Sequence, residues 1–146
     1  MNKKVKWILV LLWLVIIFEF SNQPATISDE KSKYVVYLFS EMGINLNSLF
    51  GNFANFIVRK TAHFSEYFVL YILLFNALYD KAKMKKVLLI AIVIVFLYAC
   101  SDEIHQFFIP GRSPRIRDVF IDTFGGLMAL LLNFYRYRKK QNVKVI

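Results

Sequence analysis

Four stretches of the chain are apolar over long windows: roughly Val5 to Phe20, His63 to Tyr79, Val87 to Cys100 and Val119 to Tyr135, each bounded by charge or proline. A helix rising 1.5 Å per residue needs about twenty residues to cross ~30 Å of hydrocarbon, and none of these runs is that long without polar residues. Extending each to that length predicts spans over 5–24, 60–79, 87–106 and 116–135. The connection from 25 to 58 is patterned too. Val35, Leu38, Phe39 and Met42, then Leu46, Leu49, Phe50, Phe53 and Ile57, follow the helical period, with Gly43 and Gly51 as punctuation. The expected fold is therefore an all-α membrane protein, a single domain over 1–146. It has four transmembrane helices, with amphipathic helices on the outer face between the first and second, serving as an anchor or as a lid.

Composition agrees. The chain is 58% hydrophobic and 17% aromatic, with a mean hydropathy of +0.47, more apolar surface than a soluble domain of 146 residues can bury. The basic start MNKKVKW and the run ILVLLWLVIIF resemble a signal peptide, but EFSNQPATIS offers no small-x-small cleavage pattern, so the segment is read as an uncleaved first span. The net charge of +9 is unevenly distributed. With the N-terminus inside, twelve basic residues fall on the inner side: Lys3, Lys4, Lys6, Lys81, Lys83, Lys85, Lys86, Arg136, Arg138, Lys139, Lys140 and Lys144. Seven fall outside, together with nine of the ten acids, Asp80 being the exception. This asymmetry sets both termini on the cytoplasmic side and argues against a nucleic-acid partner. Cys100 is the sole cysteine, so no intrachain disulfide forms.

The extended spans enclose charge in their outer thirds: Glu19; His63 and Glu66; Asp102, Glu103 and His105; Asp118 and Asp122. A carboxylate at that depth costs several kcal/mol unless it is paired, protonated or faces a wet cavity, so these residues are expected to converge. Arg59, His63, Glu66 and Tyr67 share one helical stripe, and Asp102, His105 and Gln106 another. Asp118, Asp122, Gly125, Gly126 and Ala129 form a third, whose small residues allow close helix approach. IPGRSP is a turn signal that makes the third and fourth spans antiparallel neighbours and suspends Arg112, Arg115 and Arg117 above the carboxylates.

Three blocks, FSNQP, RKTAHFSEY and SDEIHQFFIPGRSPRIRDVFIDTFGG, resemble the VanZ-like family of bacterial membrane proteins, in order from Phe20 to Gly126. The family-like positions are Lys60, His63, Glu66, Tyr67, Ser101, Asp102, Glu103, His105, Gln106, Pro110, Gly111, Arg112, Asp118, Asp122 and Gly125. The resemblance implies an envelope protein of the bacterial cytoplasmic membrane, and an association with low-level resistance to the lipid-bearing glycopeptide teicoplanin. It supplies no biochemical mechanism.

The polar cluster admits several readings. The favoured one is a binding site for an anionic lipid or lipid-linked cell-wall headgroup, using Lys60, Tyr67, Gln106, Arg112, Arg115, Arg117, Asp118 and Asp122, because guanidinium groups bind phosphate bidentately. The second is a membrane-embedded hydrolase or transferase, with His63, Glu66, Asp102, Glu103 and His105 as acid–base candidates. Ser65 and Ser101 are its nucleophile candidates by adjacency alone. The third is a purely structural ion-pair network. His63-x-x-Glu66 and Asp102-x-x-His105, completed by Glu19 or Asp122, have metal-ligand spacing. Their reversed order and the surrounding cations argue against a dication, and neither a metal nor a cofactor is expected.

Overall fold

The computed structural model describes residues 2–79 and 83–142. Asp80, Lys81 and Lys144 of the charge count lie outside the described residues, as do the side chains beyond Lys139. The helices are α1 (Lys3–Ser21), α2 (Ala25–Glu41), α3 (Leu46–Phe50), α4 (Ala54–Leu78), α5 (Met84–Gln106) and α6 (Ile116–Asn142), with a 3-10 turn at Gly51–Phe53. No strand occurs among the described residues.

Local chemistry explains the boundaries. The Asn2 side chain accepts from the Lys4 backbone N–H and starts α1, and Asn45 does the same for α3 through Ser48. Pro24 constrains the residue before it, so the chain leaves α1 after Ser21 and turns by 104° into α2. The first predicted span thus ends three residues early. Gly43 and Gly51 take φ of +85° and +54°, conformations that side-chain-bearing residues rarely adopt, and they separate the amphipathic segments as the pattern predicted. At the second span α4 begins at Ala54, six residues before the predicted start, because the amphipathic period of the preceding segment runs into the apolar one without a break.

Three segments are long and apolar enough to cross a membrane: Leu46–Leu78, Met84–Gln106 and Ile116–Lys139. A fourth follows if the bent α1–α2 pair counts as one span. Alone, α1 is 19 residues long and gives three of its first four positions to lysine, with Glu19 near its other end.

Polarity is arranged outside-in. Leu11, Leu12, Leu89, Leu97, Phe120, Phe124 and Leu131 are exposed, whereas Ser21, Asp102, Glu103, Gln106, Asp118 and Asp122 are buried. Exposed apolar side chains cost nothing in hydrocarbon, so such a surface suits a bilayer. The interior is sealed near its middle by Tyr67, Leu70, Tyr71, Leu74, Ala91, Val95 and Ala99. Side chains tie the helices through backbone carbonyls: Trp13 Nε1–H donates to Glu66 at 2.9 Å and the Tyr98 hydroxyl to Leu14 at 2.8 Å. With little water available, each such donor would otherwise be left unsatisfied.

Helix α6 packs most extensively on α4 and next on α5. Two glycines permit this. A Cβ at Gly125 would strike the Phe64 carbonyl oxygen, and one at Gly126 would lie 2.7 Å from Val95 Cγ1. Backbone cannot yield as a side-chain tip can, so Gly125→Ala is expected to push α6 from α4 and cost about 1–3 kcal/mol. Thermal unfolding in detergent checks this, with Gly43→Ser as comparison, a site where the space is open and the strain is confined to the turn. A loss at Gly125 no larger than at Gly43 would refute the close-contact explanation.

Candidate functional site

The carboxylates gather at one end of the bundle, opposite the end holding Lys3, Lys4, Lys6 and Arg136. Helices α4 and α6 meet there in three successive layers. Lys60 Nζ lies 2.6 Å from Asp118 Oδ2, His63 Nδ1 lies 3.7 Å from Asp122 Oδ1, and Gly125 abuts Phe64. On α6 each layer is about one helical turn from the last, since Asp118, Asp122 and Gly125 are four and three residues apart, while α4 presents Lys60 and then the adjacent His63 and Phe64. Lys60 and Asp118 are only 13% and 12% exposed at their side chains, a desolvated pair.

Helix α5 supplies the third wall. Asp102 Oδ2 accepts from Gln106 Nε2 at 3.1 Å, and the same nitrogen donates to Ser21 Oγ at 3.2 Å on α1. Glu103 turns the other way: its Oε2 accepts the Arg115 backbone N–H at 2.8 Å, fixing the chain just before α6. Tyr67 is fully buried, within electrostatic reach of Asp102, Asp122 and Glu66.

The loop between α5 and α6 docks on the bend between α1 and α2. The Ala25 N–H donates to the Pro110 carbonyl at 3.2 Å, and Gly111, at φ +74°, faces Ala25 Cβ. Arg112 reaches back over α1: Nε donates to the Gln23 carbonyl at 3.1 Å and Nη2 to the Phe20 carbonyl at 3.3 Å. A cation at a helix C-terminus meets the negative end of its dipole and satisfies its orphan carbonyls. Burial, with the Arg59 guanidinium nearby, pushes Arg112 down from its ordinary pKa, so an added anion there is favoured. Arg59 itself pairs with Asp29 of α2 at 2.5 Å.

A cavity of about 800 Å³ opens between α1, α2 and α4. Its walls include Trp13, Phe20, Val35, Val58, Ala62 and Val69; Lys31, Arg59 and Arg112 bring positive charge, and His63 and Glu66 line it too.

The predicted site residues thus divide. Lys60, His63, Tyr67, Asp102, Gln106, Asp118 and Asp122 come together between α4, α5 and α6, and Glu66 and Arg112 border them through the cavity. The predicted stripe of Asp102, His105 and Gln106 splits. His105 Nε2 lies 3.3 Å from Asn22 Oδ1, and its ring packs on Phe18 at 4.8 Å, so this histidine belongs to the α1 contact. Arg115 and Arg117 are exposed, Arg117 lying over the Phe56 ring. Glu19 is exposed and joins no cluster. The Ser65 and Ser101 hydroxyls donate to the carbonyls of Thr61 and Tyr98 in their own helices. Sequence reasoning missed Ser21, Trp13 and Tyr98. Ser21 had a signal, since SNQ is a polar triplet closing an apolar run, whereas the two aromatic donors had none.

These features define an all-helical protein of membrane type, with a buried polar cluster at one end of its helices and a mixed cavity beside it. The chain belongs to the VanZ/LLP1 family, whose sequence pattern matches residues 6–136. No curated protein and no solved structure matches it.

The Lys60–Asp118 pair generates a stability prediction. Asp118→Asn removes one charge and leaves a buried ammonium without its counter-ion, at an expected cost of about 3–5 kcal/mol. The double variant Lys60→Met with Asp118→Asn is expected to recover most of that loss. Detergent unfolding of the two single and one double variant measures the coupling, and additive losses would show that the pair is not a unit.

Proposed function

We propose that this chain crosses the bacterial cytoplasmic membrane four times with both termini in the cytoplasm, and binds an anionic lipid or lipid-linked cell-wall headgroup at the outer face. The single observation behind this reading is the cavity between α1, α2 and α4, apolar along much of its wall and bearing Lys31, Arg59 and Arg112. An acyl chain fits the apolar part, and a phosphate fits the guanidinium groups. The orientation rests on the excess of lysine and arginine at the opposite end of the helices. In it, α2 and α3 lie at the outer interface, with α2 held over the cavity by the Arg59–Asp29 pair. Sequestration of a lipid-linked cell-wall component is a route by which such a protein contributes to teicoplanin resistance.

The alternative of a headgroup hydrolase or transferase draws on one observation, that His63 and Glu66 line the same cavity. Both candidate serine hydroxyls are committed to helix carbonyls, so water is the nucleophile that reading requires. Turnover of a bound headgroup, rather than retention, separates the two.

Native mass spectrometry of the detergent-purified protein tests the binding reading. The wild type is expected to retain an anionic lipid or lipid-linked species and the double variant Lys31→Ala with Arg59→Ala to lose it, whereas Asp29→Ala, which breaks the same Arg59–Asp29 pair but keeps both cations, is expected to retain it. Arg112→Ala is expected to lose the lipid and some stability together, since it also leaves the Phe20 and Gln23 carbonyls without their donor. Retention of the same species by the double variant would defeat the proposal. Teicoplanin susceptibility of a host expressing each variant then reads the consequence, with resistance expected to follow lipid retention.

A further inference from the structure

Asp122 is the most deeply buried carboxylate among the described residues, 1% exposed, and neither of its oxygens has a hydrogen-bond donor. Next to it are two more side chains in the same condition: His63 Nδ1 at 3.7 Å is buried without a hydrogen-bond partner, and so is the Tyr67 hydroxyl. Buried polar groups are nearly always satisfied, so several orphans pointing together imply a partner that belongs among them. The cations nearby are engaged elsewhere. Lys60 is held by Asp118, Arg59 by Asp29, and Arg112 by the carbonyls at the end of α1.

We propose that His63, Asp102 and Asp122 bind a divalent cation of the Zn²⁺ or Mn²⁺ type. One ligand comes from each of α4, α5 and α6, and one donor atom from each lies within 4.8 Å of the others. Donors around a tetrahedral ion with bonds near 2.1 Å stand about 3.4 Å apart, so the three side chains close the set by rotating inward by about an ångström. One imidazole nitrogen with carboxylate oxygens selects a borderline cation over Ca²⁺, which takes oxygens alone. Two carboxylates and a neutral imidazole cancel the charge of a dication, and the neutral assembly suits a water-poor interior. Gln106 donates to Asp102 Oδ2 and restrains the rotation of that carboxylate, as outer partners of metal ligands commonly do. The Tyr67 hydroxyl, buried without a hydrogen-bond partner and within electrostatic range of both aspartates, can hold a water bound to the ion. Because His63 also lines the cavity, the ion has one side toward it. The sequence argued against a metal through the reversed order of the two pairs and the cations around them; the fold selects one member of each pair, His63 and Asp102, together with Asp122, and pairs the nearby cations elsewhere.

Metal analysis of the full-length purified protein, stripped with chelator and then offered Zn²⁺ or Mn²⁺ alone, tests this without any lipid, so it stands or falls apart from the headgroup reading. The wild type is expected to rebind one ion per chain. Asp122→Asn and His63→Gln are each expected to weaken binding at least about tenfold, while His105→Gln leaves it unchanged. If either ligand variant does not fold, pulsed electron paramagnetic resonance of Mn²⁺-loaded wild type decides, since a single coordinated imidazole gives a nitrogen coupling. Failure of the wild type to take up either ion, binding that survives both ligand variants, or bound Mn²⁺ without nitrogen coupling would each overturn the assignment.

Discussion

The arrangement depends on a backbone contact between α4 and α6, where Gly125 lies against the Phe64 carbonyl. Helices normally stand 8–10 Å apart because side chains intervene, and a glycine with no Cβ removes that spacer. One turn further toward the polar end, the same closeness lets two short or stiff side chains, His63 and Asp122, approach each other, and one turn beyond that Lys60 reaches Asp118. Gly126 performs the same service toward α5, where Val95 and Ile92 fill the space a Cβ would take. Asp102 therefore faces a cluster that α4 and α6 alone could not complete.

The second constraint is the surroundings. With leucine and phenylalanine outward, there is no hydrophobic drive to bring the helices together, and packing with polar contacts must do so. That is why so many cross-helix bonds end on backbone carbonyls, from Trp13, Tyr98 and Arg112. Each donor finds an acceptor that the helix already presents, without placing a second polar side chain in the interior. Arg112 illustrates the economy: one guanidinium closes the end of α1, joins the α5–α6 loop to the α1–α2 bend, and still borders the cavity.

The sequence made the helices legible because a bilayer demands length and apolarity, and both are counted directly. It also made most of the cluster legible, since ionisable residues inside a predicted span must converge somewhere. What it left open was the partner of each residue. His105 and Asp102 are three apart and share a helix face by spacing, yet a difference of about 60° in direction is enough to send one toward Asn22 and Phe18 and the other toward the cluster. Likewise the arginines of IPGRSPRIR look equivalent in sequence. Only Arg112, following the positive-φ Gly111, is turned back over α1, while Arg115 contributes its backbone N–H and leaves its side chain exposed.

This division of the cations decides how the acids are to be understood. Had all of the arginines and lysines faced the carboxylates, the cluster would be a closed ion-pair network with nothing left to bind. Instead Lys60 neutralises Asp118, Glu103 is satisfied by a backbone N–H, and the remaining positive side chains lie on the cavity or at the surface. The groups are thus sorted in space, with the carboxyl groups of Asp102 and Asp122 deep between the helices and cationic side chains on the cavity beside them. A low-dielectric interior keeps such carboxyl groups protonated unless a compensating positive charge lies beside them. The proposed cation between the aspartates would supply that charge and the proposed anionic headgroup would meet the cationic side chains of the cavity, with His63, which lines the cavity and faces Asp122, between the two.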